Sequence, residues 1–197
     1  ATASAQTPAD HQGMVISCPM YGKVWGSSAM SRAIQEVKAL GVNKIQIHPY
    51  ARIHKDGRIT FSPAGETSYL GRAVKIAEEN SIELFWKPHL AYWGSFDWRG
   101  AITFSSETEW KRFFQTYETW ILDHARFAQK HQIKLFAVGT ELDKTVHRPE
   151  WLEIIKKLMH TIAVQQVVGC QRLNGQMLSM DSFLIHLTGI QIFMLGD

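Results

Sequence analysis

The sequence contains no apolar run near the ~18 residues that a membrane helix needs, so no membrane span is expected. It contains no block of Lys and Arg. Its 21 basic and 18 acidic side chains are scattered, and a net charge of +3 gives no footprint for nucleic acid. Cysteine is scarce: Cys18 and Cys170 can build no disulfide framework and lack metal-ligand spacing. No His-x-His or His-Glu-x-x-His pattern occurs, so no metal or other cofactor is expected. Gly-x-Gly-x-x-Gly is also missing after the first predicted strand, which argues against a dinucleotide site.

What is present is enough to build a core. Hydrophobic residues make up 45% of the 197 and charged residues 20%, which excludes disorder for most of the chain. The chain holds seven tryptophans, most of them between Trp86 and Trp151. Residues 1–12 are small and polar and read as a flexible segment. Their Ala-x-Ala spacing matches the residue pattern left near a signal-peptidase cut, so a secreted or periplasmic location is expected, with the cytoplasm as the alternative.

From residue 13 onward, short apolar runs alternate with stretches of 3.6-residue period. Residues 14–17, 44–48, 82–87 and 135–138 read as strands. Residues 28–40 and 67–79 read as helices with apolar faces. Ser106-Glu107-Thr108-Glu109 is a capping box that opens a long helix to about Lys130. Pro149, at the favoured first position, opens another. Strands separated by helices pair in parallel through right-handed crossovers. Two architectures fit this alternation, a doubly wound sheet and a (β/α) barrel. The first wants the glycine-rich turn that is missing. The expected fold is therefore α/β, of the (β/α) TIM-barrel type, incomplete as a barrel, with about four to five β/α units.

In such a barrel the chemistry sits at the C-terminal ends of the strands. Those ends read Ser17-Cys18-Pro19-Met20-Tyr21-Gly22, His48-Pro49-Tyr50-Ala51-Arg52, Lys87-Pro88-His89 running on to Trp98-Arg99-Gly100, and Gly139-Thr140-Glu141-Leu142. Aromatic rings stack on sugar faces, and His, Lys, Arg and Tyr bond sugar hydroxyls. A carboxylic acid protonates the glycosidic oxygen as its bond breaks. Glu141 is the candidate acid, with burial expected to raise its pKa. His48, Tyr50, Lys87, His89, Trp93, Trp98, Arg99 and Thr140 are the candidate substrate contacts. Trp110, Trp120 and Trp151 fall on helix faces and read as core, and Trp86 reads as core within a strand. Trp93 and Trp98 fall in a Gly-rich polar loop, where aromatic side chains more often meet ligand.

These stretches, with Gly13-Met14-Val15-Ile16-Ser17 and Val138-Gly139-Thr140-Glu141-Leu142, make residues 13–160 resemble glycoside hydrolase family 113. That family is the β-mannanase-like branch of the retaining (β/α)8 glycosidases. The resemblance implies an oligo- or polysaccharide substrate of the β-1,4-mannan type. It also implies an acid/base glutamate ending strand four, which Glu141 matches, and a nucleophilic glutamate ending strand seven. Clan relatives usually carry Asn before the acid/base; here Thr140 stands, as the family implies.

Residues 161–197 read differently, with only Arg172, Asp181 and Asp197 charged. They are expected to be an atypical tail, frameshifted or truncated, with a fifth strand near residues 163–168 as the alternative. No strand-seven glutamate is found, so a catalytically inactive carbohydrate-binding remnant is the second functional expectation. An unrelated metal hydrolase is the third. The sequence does not determine the oligomeric state.

Overall fold

The computed structural model describes residues 13–18 and 20–161, and the backbone of 166–173 and 176–179. The flexible segment expected at 1–12 and most of the tail beyond 161 lie outside the described residues.

In chain order the elements are β1 (Gly13–Val15), α1 (Ser28–Ala39), β2 (Lys44–Ile47), β3 (Tyr50–Ile53), β4 (Ile59–Thr60), α2 (Ser68–Glu79), β5 (Glu83–Trp86), β6 (His89–Ala91), α3 (Glu107–Lys130), β7 (Leu135–Thr140), α4 (Glu150–Thr161), β8 (Gln166–Leu173) and β9 (Gln176–Ser179). The main sheet runs β1-β2-β5-β7-β8-β9. Its pairs are parallel up to β8, and β8 and β9 pair antiparallel. Each new parallel strand adds on the same side of its predecessor. A doubly wound sheet instead reverses its strand order at a switch point. The steady advance is the winding of a (β/α) barrel, here four β/α units and a fifth parallel strand.

The expected helices and strands form within a few residues of their predicted ends. The Ser106 capping box is complete: its hydroxyl accepts from the Glu109 N–H, and the Glu109 side chain accepts from the Ser106 N–H. Helix α3 buries Trp110, Phe113, Phe114, Tyr117, Trp120 and Ile121. Trp86, Trp120 and Trp151 join it in the core, as the sequence indicates.

No pattern in the sequence announces the second, three-stranded sheet, β4-β3-β6. Strands β2 and β5 both break at X-Pro steps, Pro49 and Pro88, because proline brings no N–H to the ladder. Both chains then resume pairing side by side. The N–H of His89 donates to the Pro49 carbonyl at 2.9 Å, and Tyr50 lies in register with His89. The two breaks lift β3 and β6 above the strand ends together. The β3–β4 hairpin meanwhile presses on α3. Gly57, at φ +85°, brings its backbone so near α3 that a Cβ there would lie 2.5 Å from the Glu109 carbonyl oxygen.

Candidate active site

The floor of the site is set by a bulge. The β7–β8 register shifts between Ala137 and Gly139. The Val138 carbonyl, in the bulge, accepts the hydroxyl of fully buried Tyr117 at 2.7 Å. Two residues on, Thr140 is buried and Glu141 adopts a left-handed φ of +55°, which ends the strand and turns the chain.

Glu141 is partnered across 42 residues of sequence. Arg99 donates to Glu141 Oε2 from Nε at 3.0 Å and from Nη2 at 2.7 Å. The Arg99 side chain is 13% exposed and that of Glu141 45%. Arg99 is held by the Leu90 carbonyl at 3.4 Å, and its guanidinium lies 5.5 Å from the Tyr92 ring centre. The burial expected around the Glu141 carboxylate is therefore not found: the strand beneath is buried, but the left-handed turn leaves the side chain half-exposed.

Beside this pair stand the histidines that follow the two proline breaks. His48 and His89 stack with ring centres 4.9 Å apart and planes 28° apart. Burial, reinforced by the charges of Lys87 and Arg99, pushes His48 down to about 4. Burial and the same two charges hold His89 well below the usual histidine range. Both rings are thus neutral at ordinary pH, and each can donate and accept. His48 Nδ1, His89 Nε2 and Thr140 Oγ1 are buried polar atoms without hydrogen-bond partners among the described residues. Such atoms are costly in a folded protein unless a ligand or solvent meets them.

Tyr50 joins the parts. It meets His48, His89 and Trp93 with ring centres 5.4, 6.0 and 5.5 Å away. Burial raises its pKa, against the pull of Arg99, and the charge of Glu141 also reaches it. Trp93 is 52% exposed and leans on Tyr92. Lys87, half-buried, is close enough to act electrostatically on both histidines. Trp98 is 46% exposed, and its ring covers Gly100 so closely that a Cβ there would lie 2.1 Å from it.

The structure therefore brings together His48, Tyr50, Lys87, His89, Trp93, Arg99 and Glu141. Trp98 lies next to Arg99 in the chain, and no ring contact is seen between it and the others among the described residues. Tyr92, which carries the Arg99 guanidinium, and Tyr21, whose ring meets Tyr50 edge-on at 6.4 Å, fall at the strand ends read from the sequence but are not among its candidate contacts. Tyr92 could have been found from its place beside Trp93. Among the described residues no group of three or more His, Cys, Asp or Glu could hold a metal ion, and no helix is long and apolar enough to cross a membrane.

Comparison with known proteins gives a consistent picture. The family profile described as Glycoside Hydrolase Family 113 matches residues 20–174, including a stretch after residue 160 that sequence reading had not placed. Among solved structures, a family 113 β-mannanase from Alicyclobacillus acidocaldarius in complex with ManMIm superposes with a TM-score of 0.68 at 18% identity, over 81% of this chain and 53% of that one. A family 113 β-1,4-mannanase gives 0.67 at 18% identity, over 82% and 55%. A complex of a family 113 β-1,4-mannanase gives 0.67 at 19%, over 81% and 54%. This chain thus spans about half the length of these solved relatives. No curated protein matches it.

Proposed function

The chain belongs to glycoside hydrolase family 113, and from that premise we propose that it takes part in retaining hydrolysis of a β-linked, mannan-type polysaccharide with Glu141 as general acid/base. The observation that carries the reading is the Arg99–Glu141 pair at the end of β7, beside the Tyr50–Trp93 aromatic wall. Arg99 occupies Oε2 with both donors, and Oε1 receives no hydrogen bond among the described residues. Oε1 is therefore the oxygen that exchanges the proton. It delivers the proton to the glycosidic oxygen as the bond to the anomeric carbon breaks. The ionised carboxylate then takes a proton from the water that releases the sugar. The Tyr50 and Trp93 rings receive apolar sugar faces. The unpartnered atoms of His48, His89 and Thr140 bond the hydroxyls.

Retaining chemistry needs a second carboxylate about 5–5.5 Å from the first. The family resemblance puts it at the end of strand seven, beyond the five parallel strands described. The residues described, taken by themselves, admit a second reading, a carbohydrate-binding unit without turnover. Release of reducing ends from β-1,4-mannan and mannohexaose decides between them. The hydrolase reading expects turnover by the 197-residue chain and its loss in Glu141→Gln. Binding of mannohexaose with no turnover in either protein establishes the second reading.

A further inference from the structure

Tyr21 occupies an unfavourable backbone conformation for an aromatic residue. In the 3₁₀ stretch Met20–Gly26 it sits at φ 56°, ψ 26°, in the left-handed region, and Gly22 follows at φ 95°. The turn is pinned from both sides. The Tyr69 hydroxyl donates to the Tyr21 carbonyl at 2.9 Å, and a Cβ on Gly22 would lie 2.3 Å from the buried Trp25 ring. Glycine or asparagine suits such a position without strain. The ring gains little by burial in return, because Tyr21 is 51% exposed. The turn aims it at the site instead: it stands edge-on to Tyr50, at 88° and 6.4 Å. Tyr50 in turn meets Trp93 at 5.5 Å, and Trp93 meets Tyr92 at 5.6 Å. The rings, exposed at Tyr21 and Trp93 and half-buried at Tyr50 and Tyr92, thus form one row that starts at Tyr21 and ends where Tyr92 carries Arg99.

We propose that Tyr21 is a saccharide-contacting, length-determining residue, the far end of an aromatic row that only a longer β-linked oligosaccharide reaches. The strained turn is retained because it presents this ring, consistent with strain gathering at functional positions. The proposal rests on the reading of the cleft as a saccharide site.

The test is calorimetric binding of mannobiose and mannohexaose, in a Glu141→Gln background that keeps the sugars intact. Tyr21→Gly removes the ring and relieves the backbone. It is expected to weaken mannohexaose about tenfold, the size of one aromatic platform, and to leave mannobiose within about twofold. Its thermal midpoint is expected to hold or rise, because glycine accepts the left-handed turn. Tyr21→Phe keeps the platform and is expected to bind both sugars like the parent. Unchanged mannohexaose affinity in Tyr21→Gly overturns the proposal while leaving the saccharide site standing. Equal weakening of both sugars, or a lowered midpoint, marks the ring as structural and also overturns it. If the parent binds neither sugar, the saccharide reading itself fails and this proposal with it.

Discussion

Arg99 places two donors on a single oxygen of Glu141, Nε at 3.0 Å and Nη2 at 2.7 Å from Oε2. The pair fixes which carboxylate oxygen faces the cleft, so Arg99 is expected to matter more for turnover than for stability. With Glu141 45% exposed, solvent screens the pair. A double-mutant cycle of Arg99→Met and Glu141→Gln in urea unfolding should give a coupling of about 1 kcal/mol or less. If the chain turns over mannohexaose, Arg99→Met should lower kcat by roughly tenfold or more through misplacement of the acid/base, and Arg99→Lys should recover part of it. An unchanged kcat in Arg99→Met would remove Arg99 from the positioning of Glu141.

The buried imidazoles predict acid sensitivity. His124 accepts the Trp86 indole N–H at 3.1 Å, and burial pushes it down to about 3. His48 is held at about 4. An unfolded histidine binds its proton near pH 6.5, so between that value and the folded one the unfolded chain holds more protons. The stability these rings contribute is complete above about pH 6.5 and is lost as pH falls. By linkage, lowering pH from 7 to 5 should cost about 2 kcal/mol through His124 alone. In His124→Gln, whose amide oxygen can still take the Trp86 N–H, urea midpoints at the two pH values should differ by correspondingly less.

Gly57 should tolerate no side chain. Its φ is +85°, and the neighbour a Cβ would strike at 2.5 Å is the backbone carbonyl of Glu109 in α3, which cannot swing aside. Gly57→Ala should cost about 2–4 kcal/mol from left-handed strain and overpacking, read as a lower thermal midpoint. A midpoint within a degree of the parent would show that the β3–β4 hairpin does not press on the helix.

The Tyr117 hydroxyl serves the β7 bulge. Tyr117→Phe keeps the ring and removes the hydroxyl that donates to the Val138 carbonyl at 2.7 Å. A loss of about 1–2 kcal/mol is expected from leaving a buried acceptor unmet. An unchanged unfolding midpoint would mean that the bulge is stabilised by other contacts.

The elements of the barrel were largely legible in the sequence because their cause is local. The spacing of Trp110, Phe113, Phe114 and Tyr117 makes α3 amphipathic whatever it packs against, and Ser106 with Glu109 closes its first turn. The place of Glu141 was legible for a related reason: it follows the apolar run 135–138 by a few residues, where the strand ends. The β3-β4-β6 sheet was not legible. Its strands are two to four residues long, too short for a clear period-two pattern. They exist because two proline breaks fall level on neighbouring strands. The exposure of the Glu141 side chain was not legible either, because a single left-handed residue redirects it.

Local chemistry in the chain thus determined the alternation of strands and helices, the caps and the apolar faces. It also determined the set of aromatic and polar residue types at the strand ends. Register decided the rest. Arg99 meets Glu141 across 42 residues, His48 stacks on His89, and Tyr21 meets Tyr50 only once neighbouring strands are aligned. Such contacts come from distant segments placed by the packing of the whole core, and residue spacing alone carries no record of them.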